Sequence, residues 1–298
     1  MNVLEVKDLR KRFGSKTVLD GLTFSVSEGS IFGFIGRNGA GKTTTMKIIL
    51  GLLQADSGEV TVCGEKVRYG STPTNKYVGC LPDVPEFYGY MTAKEYLKLC
   101  GEITGMKHSE IKSRSAELLE LVGLAGEKHR IKGYSRGMKQ RLGIAQALIN
   151  KPRLLICDEP TSALDPVGRK EILEIIRAAK GETSVIFSTH ILSDVERICD
   201  RTAILEKGRT ALSGTVSEMK AKRSGSDLHI LLADAADTAK AALLLGGEGE
   251  NGVIVIKNAS QDKMFDVMKK ISETKLPVSK LEHAEPDLEQ LFMEVIGR

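Results

Sequence analysis

No stretch of this chain approaches the roughly 18 consecutive apolar residues that a membrane-crossing helix needs. Met1-Asn2-Val3-Leu4-Glu5 lacks the form of a signal peptide, so the chain is expected to enter a strand directly. Cysteine is sparse: Cys63, Cys80, Cys100, Cys157 and Cys199, an odd number without a C-x-x-C pair. That excludes a disulfide framework and fits reduced, mostly buried thiols in a reducing cytoplasm. The five histidines are scattered without metal-ligand spacing. Tryptophan is absent, which decides nothing. An excess of one sign of charge is nearly missing as well: 43 Lys and Arg against 39 Asp and Glu leave a net charge of +4, too little to argue for nucleic acid. The 298 residues, 41% hydrophobic and 28% charged, have the balance of a globular protein of one large or two modest domains.

One stretch dominates what is present. Gly36-Arg37-Asn38-Gly39-Ala40-Gly41-Lys42-Thr43-Thr44 fits G-x-x-x-x-G-K-[ST], the phosphate-cradling P-loop. Ile31 to Ile35 before it reads as a buried strand, and Thr44 to Leu50 after it as a helix, the context the motif requires. Glycines let successive N–H groups converge on phosphate oxygens, and the helix start adds unpaired N–H groups and a positive dipole end. In that geometry Lys42 reaches the β- and γ-phosphates and the Thr43 hydroxyl reaches Mg²⁺.

Around the P-loop, residues 2–8, 22–27 and 58–62 alternate with period two and read as half-exposed strands. From Asp83 to Ile149 the pattern turns helical. Thr92-Ala93-Lys94-Glu95 is a capping box with Leu97, Cys100 and Ile103 expected on one face. A second helix starts at Ser109, with Ile111, Leu118 and Val122 inward and Gly123 as its stop. A third runs from Gly137 to Ile149. Leu154 to Cys157 is an unbroken apolar run, as in a strand buried on both faces of a parallel sheet, and Ser184 to Thr189 reads as another buried strand, with a helix at 167–180 between them. Residues 201–206 and 209–213 form a hairpin turning at Lys207-Gly208. Composition shifts at a basic linker, 220–227. Residues 228–298 then alternate strand (228–233), helix (235–245), strand (252–256), helix (260–273), strand (278–282) and helix (286–296), an α+β appendage. The expected fold class is α/β, with the P-loop domain at 1–219, a helical subdomain at about 83–150, and the accessory domain at 228–298.

A P-loop needs a partner carboxylate for Mg²⁺. Asp158 ends an apolar strand as that role requires, and Glu159 behind it has the chemistry to polarise a water attacking the γ-phosphate.

Tyr134-Ser135-Arg136-Gly137-Met138-Lys139-Gln140-Arg141 resembles the signature motif of ATP-binding-cassette (ABC) ATPases, and it stands about twenty residues before Asp158, the spacing of that family. Ser162-Ala163-Leu164-Asp165 resembles the family's D-loop, and Thr189-His190 its switch histidine. Phe13 sits where the family places an aromatic that stacks on adenine. The resemblance covers about residues 1–215 and rests on five motifs in order. It implies a P-loop cassette with a mixed sheet core, an antiparallel β subdomain and a helical subdomain. It implies ATP and Mg²⁺ as cofactors, with Thr43 and Asp158 on the metal. It implies that Ser135 and Gly137 bind the γ-phosphate of nucleotide held by another copy, so that a C₂ homodimer sandwiches ATP. Three positions depart from the family: Tyr134 and Arg136 replace its commonest Leu and Gly, and Asp83 replaces Gln or Glu near the metal. Asp83 keeps an oxygen but is shorter, so its contact with Mg²⁺ is expected either directly or through water.

The resemblance further implies an ATPase subunit of an exporter, peripheral on the inner face of the membrane, that drives separate transmembrane permease subunits through a groove beside Asp83. Phe87, Tyr88 and Tyr90 either dock a partner helix there or pack inside the helical subdomain. The alternative is a soluble ABC ATPase acting on nucleic acid or ribosomes. Against it stand the lack of long heptad runs between P-loop and signature and the presence of a single cassette. The intact set of Lys42, Asp158, Glu159 and His190 argues against a scaffold without turnover, and no guanine-reading motif marks a GTPase.

Overall fold

The computed structural model describes residues 1–70, 73–221, 226–284 and 288–296. It divides into two compact units, Met1–Val216 and Ser217–Arg298. Half of the expected linker, residues 222–225, lies outside the described residues.

In chain order the first unit carries β1 (Asn2–Phe13), β2 (Lys16–Ser27), β3 (Ile31–Gly36), α1 (Lys42–Ile49), β4 (Ser57–Val62), β5 (Glu65–Lys66), β6 (Val78–Leu81), α2 (Ala93–Ile103), α3 (His108–Leu121), α4 (Arg136–Leu148), β7 (Leu154–Asp158), α5 (Pro166–Ala179), β8 (Ser184–Thr189), α6 (Leu192–Ile198), β9 (Arg201–Glu206) and β10 (Arg209–Thr215). A short α7 (Val216–Ala221) straddles the boundary. Six strands form one sheet in the order β10-β9-β3-β8-β7-β6, with β6, β7, β8, β3 and β9 parallel and β10 closing the edge antiparallel. Every residue of β3, β7 and β8 is buried, which is why apolar residues fill the middle of each strand. The antiparallel sheet β2-β1-β4-β5 packs on this one. Phe24 of β2 places its ring 5.5 Å from that of Phe32 and 4.9 Å from that of Phe34.

β1 and β2 run beyond 2–8 and 22–27. Their outer halves are held by cross-strand ion pairs such as Arg10–Asp20 (2.6 Å), and register shifts between Val6 and Leu9 break the alternation that would reveal them. β6 and α6 are absent from the sequence reading, since both are too short to show a period.

The capping box forms: the Glu95 N–H donates to Thr92 Oγ1 at 3.3 Å, and the Thr92 N–H donates to Glu95 Oε2 at 2.8 Å. Leu97 is buried as expected, but Ile103 is 74% exposed. Six residues turn an α-helix through about 600°, which leaves Ile103 roughly 120° away from Leu97. Tyr96 and Gly101 take the inward places. Ile111, Leu118 and Val122 all face inward. Gly79 of β6 lies against α4 so closely that a Cβ would stand 2.1 Å from the carbonyl oxygen of Ala147, so no other residue fits there.

Arg114 ties α3 to the end of α4 from a site only 4% exposed. It donates to the Leu148 carbonyl (3.1 Å), Glu117 (2.8 Å) and Glu182 (2.7 Å). The hydrogen bond from Arg114 holds the Glu182 carboxyl below its ordinary range. A carboxyl lowered on folding stabilises fully above its unfolded value near pH 4.3, and loses that contribution as pH falls through its lower folded value. Arg114→Ala is expected to cost about 3 kcal/mol, read as the shift of a urea unfolding midpoint, because it strands a buried carbonyl and unpairs two carboxylates.

The second unit carries β11 (Ser226–Leu232), α8 (Thr238–Leu245), β12 (Glu248–Glu250), β13 (Val253–Ala259), α9 (Gln261–Thr274), β14 (Val278–Ala284) and α10 (Leu288–Ile296). The four strands form one antiparallel sheet, β12-β13-β11-β14. That β-α-β-β-α-β order is the ferredoxin-like split motif, a closer description than a generic α+β appendage. Leu228, Ile230, Ile254 and Ile256 meet Leu245 and Val267 in its core. Leu288 and Leu291 of α10 are buried, as its amphipathic pattern implies.

Candidate functional site

Parallel strands place ligands beyond their carboxyl ends. Here β3 delivers the glycine loop, β7 delivers Asp158 and Glu159, β8 delivers His190, and β6 leads to Asp83. Gly41 sits immediately before α1 at φ 109°, a backbone state that side chains rarely adopt, and a Cβ there would fall 2.6 Å from Leu19 Cδ2. That bend turns the first N–H groups of α1, which have no intrahelical acceptor, toward one point. A cavity of about 390 Å³ opens there, lined by Asn38, Lys42, Thr43, Lys16, Asp83 and Glu159 among others.

The charges inside are fixed by short contacts. Lys42 is 6% exposed; its Nζ donates to the Gly36 carbonyl at 2.7 Å and stands 3.1 Å from Glu159 Oε1. Glu159 Oε1 is itself buried and accepts no directed hydrogen bond, the ion pair with Lys42 notwithstanding. The other oxygen, Oε2, lies 2.8 Å from His190 Nδ1. Glu159 is held at φ 48°, left-handed for a residue with a side chain, by its N–H donating to the Ser188 carbonyl at 3.0 Å. Such a conformation costs on the order of 1 kcal/mol or more and persists where the surroundings enforce it. Asp158 Oδ2 accepts from the Thr43 hydroxyl at 2.9 Å and Oδ1 from the Ser188 hydroxyl at 2.5 Å. Burial pushes the Cys80 thiol up to about 11 and raises the Cys157 thiol as well. Both stay neutral, so the negative charge at this strand end belongs to Asp158 and Glu159.

The P-loop, Asp158, Glu159 and His190 are thus brought together. Asp83 lines the same cavity, but its Oδ1 accepts from Ser162 Oγ at 2.5 Å and from Arg136 at 3.5 Å. Gln140 of α4 donates to the Asp83 carbonyl at 2.6 Å. Ser135 caps α4, accepting from the Met138 N–H at 3.2 Å; neither it nor Gly137 lines the cavity. Phe13, at the end of β1, is 49% exposed with Lys11 Nζ 5.4 Å from its ring centroid, and it too stands outside the cavity lining. Phe87 packs edge-on against Tyr96 at 5.0 Å, whereas Tyr88 and Tyr90 are exposed beside a groove at Asp83 and Lys132. The roles of Ser188, Ser162 and Arg136 as partners are not in the sequence reading. For Ser188 the signal was parallel register, which sets it opposite Asp158.

A strand, glycine loop and helix with a carboxylate pair at the end of another parallel strand of the same sheet define a P-loop ATPase. The chain belongs to the ATP-binding proteins of the ABC transporter family. The family profile for "ABC transporter" matches residues 19–162. The chain is 36% identical to the bacitracin transport ATP-binding protein BcrA of Bacillus licheniformis, over 99% of this chain and 97% of that one. It is 34% identical to the linearmycin resistance ATP-binding protein LnrL of Bacillus subtilis, over 99% of both chains. Among solved structures it resembles an ATP-binding subunit of an ABC transporter with a TM-score of 0.66 and 33% identity, over 74% of this chain and 92% of that one. Among the described residues no helix is long and apolar enough to cross a membrane.

Proposed function

We propose that this chain is the ATP-hydrolysing subunit of an exporter of the multidrug, antibiotic or lipid type, and that it works on the inner face of the membrane on separate permease subunits. The observation that carries the exporter reading is full-length similarity, second unit included, to proteins named for bacitracin transport and linearmycin resistance. Its cassette is taken as 1–219, with the helical subdomain at 83–150, and its accessory domain as 228–298. The groove beside Asp83, Phe87 and Lys132, with Tyr88 and Tyr90 exposed, is the surface offered to a permease helix.

The residues fit a magnesium nucleotide. A buried lysine, an open helix start and a hydroxyl–carboxylate pair are the donors for a polyphosphate and a hard, oxygen-seeking cation. Bound Mg²⁺ would neutralise charge developing between the β- and γ-phosphates. In this reading Lys42 and the backbone from Gly36 and Asn38 to Thr44, through Gly39, Ala40 and Gly41, hold the phosphates, and Phe13 faces the base. Thr43 and Asp158 take the cation, with Asp83 contacting it through water. Glu159 accepts a proton from the attacking water, and His190 orients Glu159. Ser135 and Gly137 of a second copy close the site, making a homodimer across two nucleotides.

Expressed with its native neighbours and gently extracted from membranes, the chain is expected to co-purify with a polytopic protein. Recovery with ribosomes or DNA in its place would overturn the exporter reading.

A further inference from the structure

Glu159 and His190 meet from different strands. β7 ends at Asp158 and β8 at Thr189; residues 159–165 then lead to α5, and residues 190–191 to α6. The sheet sets the backbone at the two strand ends, but not the course of the loops beyond them. The contact of Glu159 Oε2 with His190 Nδ1, 2.8 Å, spans those loops.

The first loop is strained at both ends. Glu159 and Ala163 stand at φ 48° and φ 53°, left-handed for residues with side chains, so the loop keeps its course only where something outside it holds it. Thr161 lies midway between them. It is 1% exposed, and its hydroxyl donates to Asp194 Oδ2 at 2.8 Å. Asp194 is in the first turn of α6, four residues beyond His190, and is itself 4% exposed. Its other oxygen, Oδ1, accepts from Arg169 Nη2 at the start of α5, at 2.7 Å.

One buried carboxylate thus joins three segments that surround the site. The loop carries Glu159 at its beginning and, next to Thr161, Ser162, whose hydroxyl donates to Asp83. His190 stands two residues before α6. α5 is capped by Asp165, which accepts from the Gly168 N–H at 3.2 Å. Burying a carboxylate is costly unless its oxygens are met, and apolar side chains would hold two helices and a loop together at less cost. What a carboxylate between a hydroxyl and a guanidinium adds is direction: two charge-assisted hydrogen bonds that fix where each segment lies.

We propose that Asp194 is a positioning residue for ATP hydrolysis: by holding Thr161 and Arg169 to α6, it sets the distance between Glu159 and His190. The proposal rests on the reading of Glu159 as the base and His190 as the group that orients it. Neither Asp194 nor Thr161 lines the nucleotide cavity, so the effect falls on kcat and leaves nucleotide binding alone.

Asp194→Ala strands a guanidinium and a buried hydroxyl and so endangers the fold, which makes Thr161 the decisive position. Thr161→Val keeps the shape and removes the hydroxyl. Thr161→Ser keeps the hydroxyl and removes a methyl group. A packing role makes serine the worse of the two, and a directional role makes valine the worse. In the full chain, Thr161→Val is expected to lower kcat roughly tenfold with KM for Mg-ATP unchanged, and Thr161→Ser to stay within about twofold of the parent. Without nucleotide, the ring-nitrogen NMR signals of His190, picked out from those of the five histidines by their loss in His190→Ala, are expected to move in Thr161→Val and to match the parent in Thr161→Ser. That second readout stands apart from the assignment of the base: a parent-like rate in Glu159→Gln would overturn the reading of the site, and the His190 signals would still judge the tie. A parent-like kcat in Thr161→Val, a serine variant as slow as the valine one, a raised KM in place of a lowered kcat, or His190 signals indifferent to Thr161→Val overturns the proposal.

Discussion

Glu159→Gln is expected to slow ATP turnover by about 10²- to 10⁴-fold while leaving nucleotide binding intact. The exchange is nearly isosteric. It keeps an oxygen for the Lys42 ammonium, 3.1 Å away, and a polar atom for His190, 2.8 Å away. What it removes is the capacity to accept a proton. Binding then proceeds and the step that discharges it stalls, so a dimer loaded with ATP should accumulate and elute early in gel filtration. Phosphate release measured under saturating Mg-ATP gives the rate. A parent-like rate would assign the base elsewhere.

Ser135→Arg is expected to reduce turnover at least 10²-fold, the scale of losing one preorganised donor to a transition-state anion, with the added obstruction of a long side chain. Ser135 stands at the start of α4 and outside the cavity of its own chain. The variant should therefore bind a fluorescent ATP analogue as a monomer as tightly as the parent. Losing the cap on α4 costs about 1 kcal/mol, too little to unfold the domain. Turnover that survives the substitution would mean that each cavity works alone.

The legible part of the site was local in sequence. Gly36 to Thr44 declares itself because a phosphate cradle is built from consecutive backbone groups, and Asp158 because it terminates a run of buried residues. Asp83 was harder. Its oxygen is held by Ser162, 79 positions away, and no local pattern carries that pairing. The apolar runs betrayed β3, β7 and β8, but β6 is four residues long and contains a glycine. In the second unit the succession of strands and helices was readable except for β12, which is three residues long and shows no period. The order β12-β13-β11-β14 was not, because strand adjacency depends on which faces must be covered, and that follows from the whole sheet.

Gly79 also sets the mechanics of the cassette. At Gly79 the β6 backbone is pressed directly on the Ala147 carbonyl, and two residues on, the Leu81 side chain fills the space over Gly143, where α4 likewise leaves no room. Interiors packed to that density transmit displacement instead of absorbing it. α4 carries Ser135 at its tip and grips the Asp83 carbonyl through Gln140. A push on the groove beside Asp83 is thus expected to arrive at Ser135 as motion of one stiff arm.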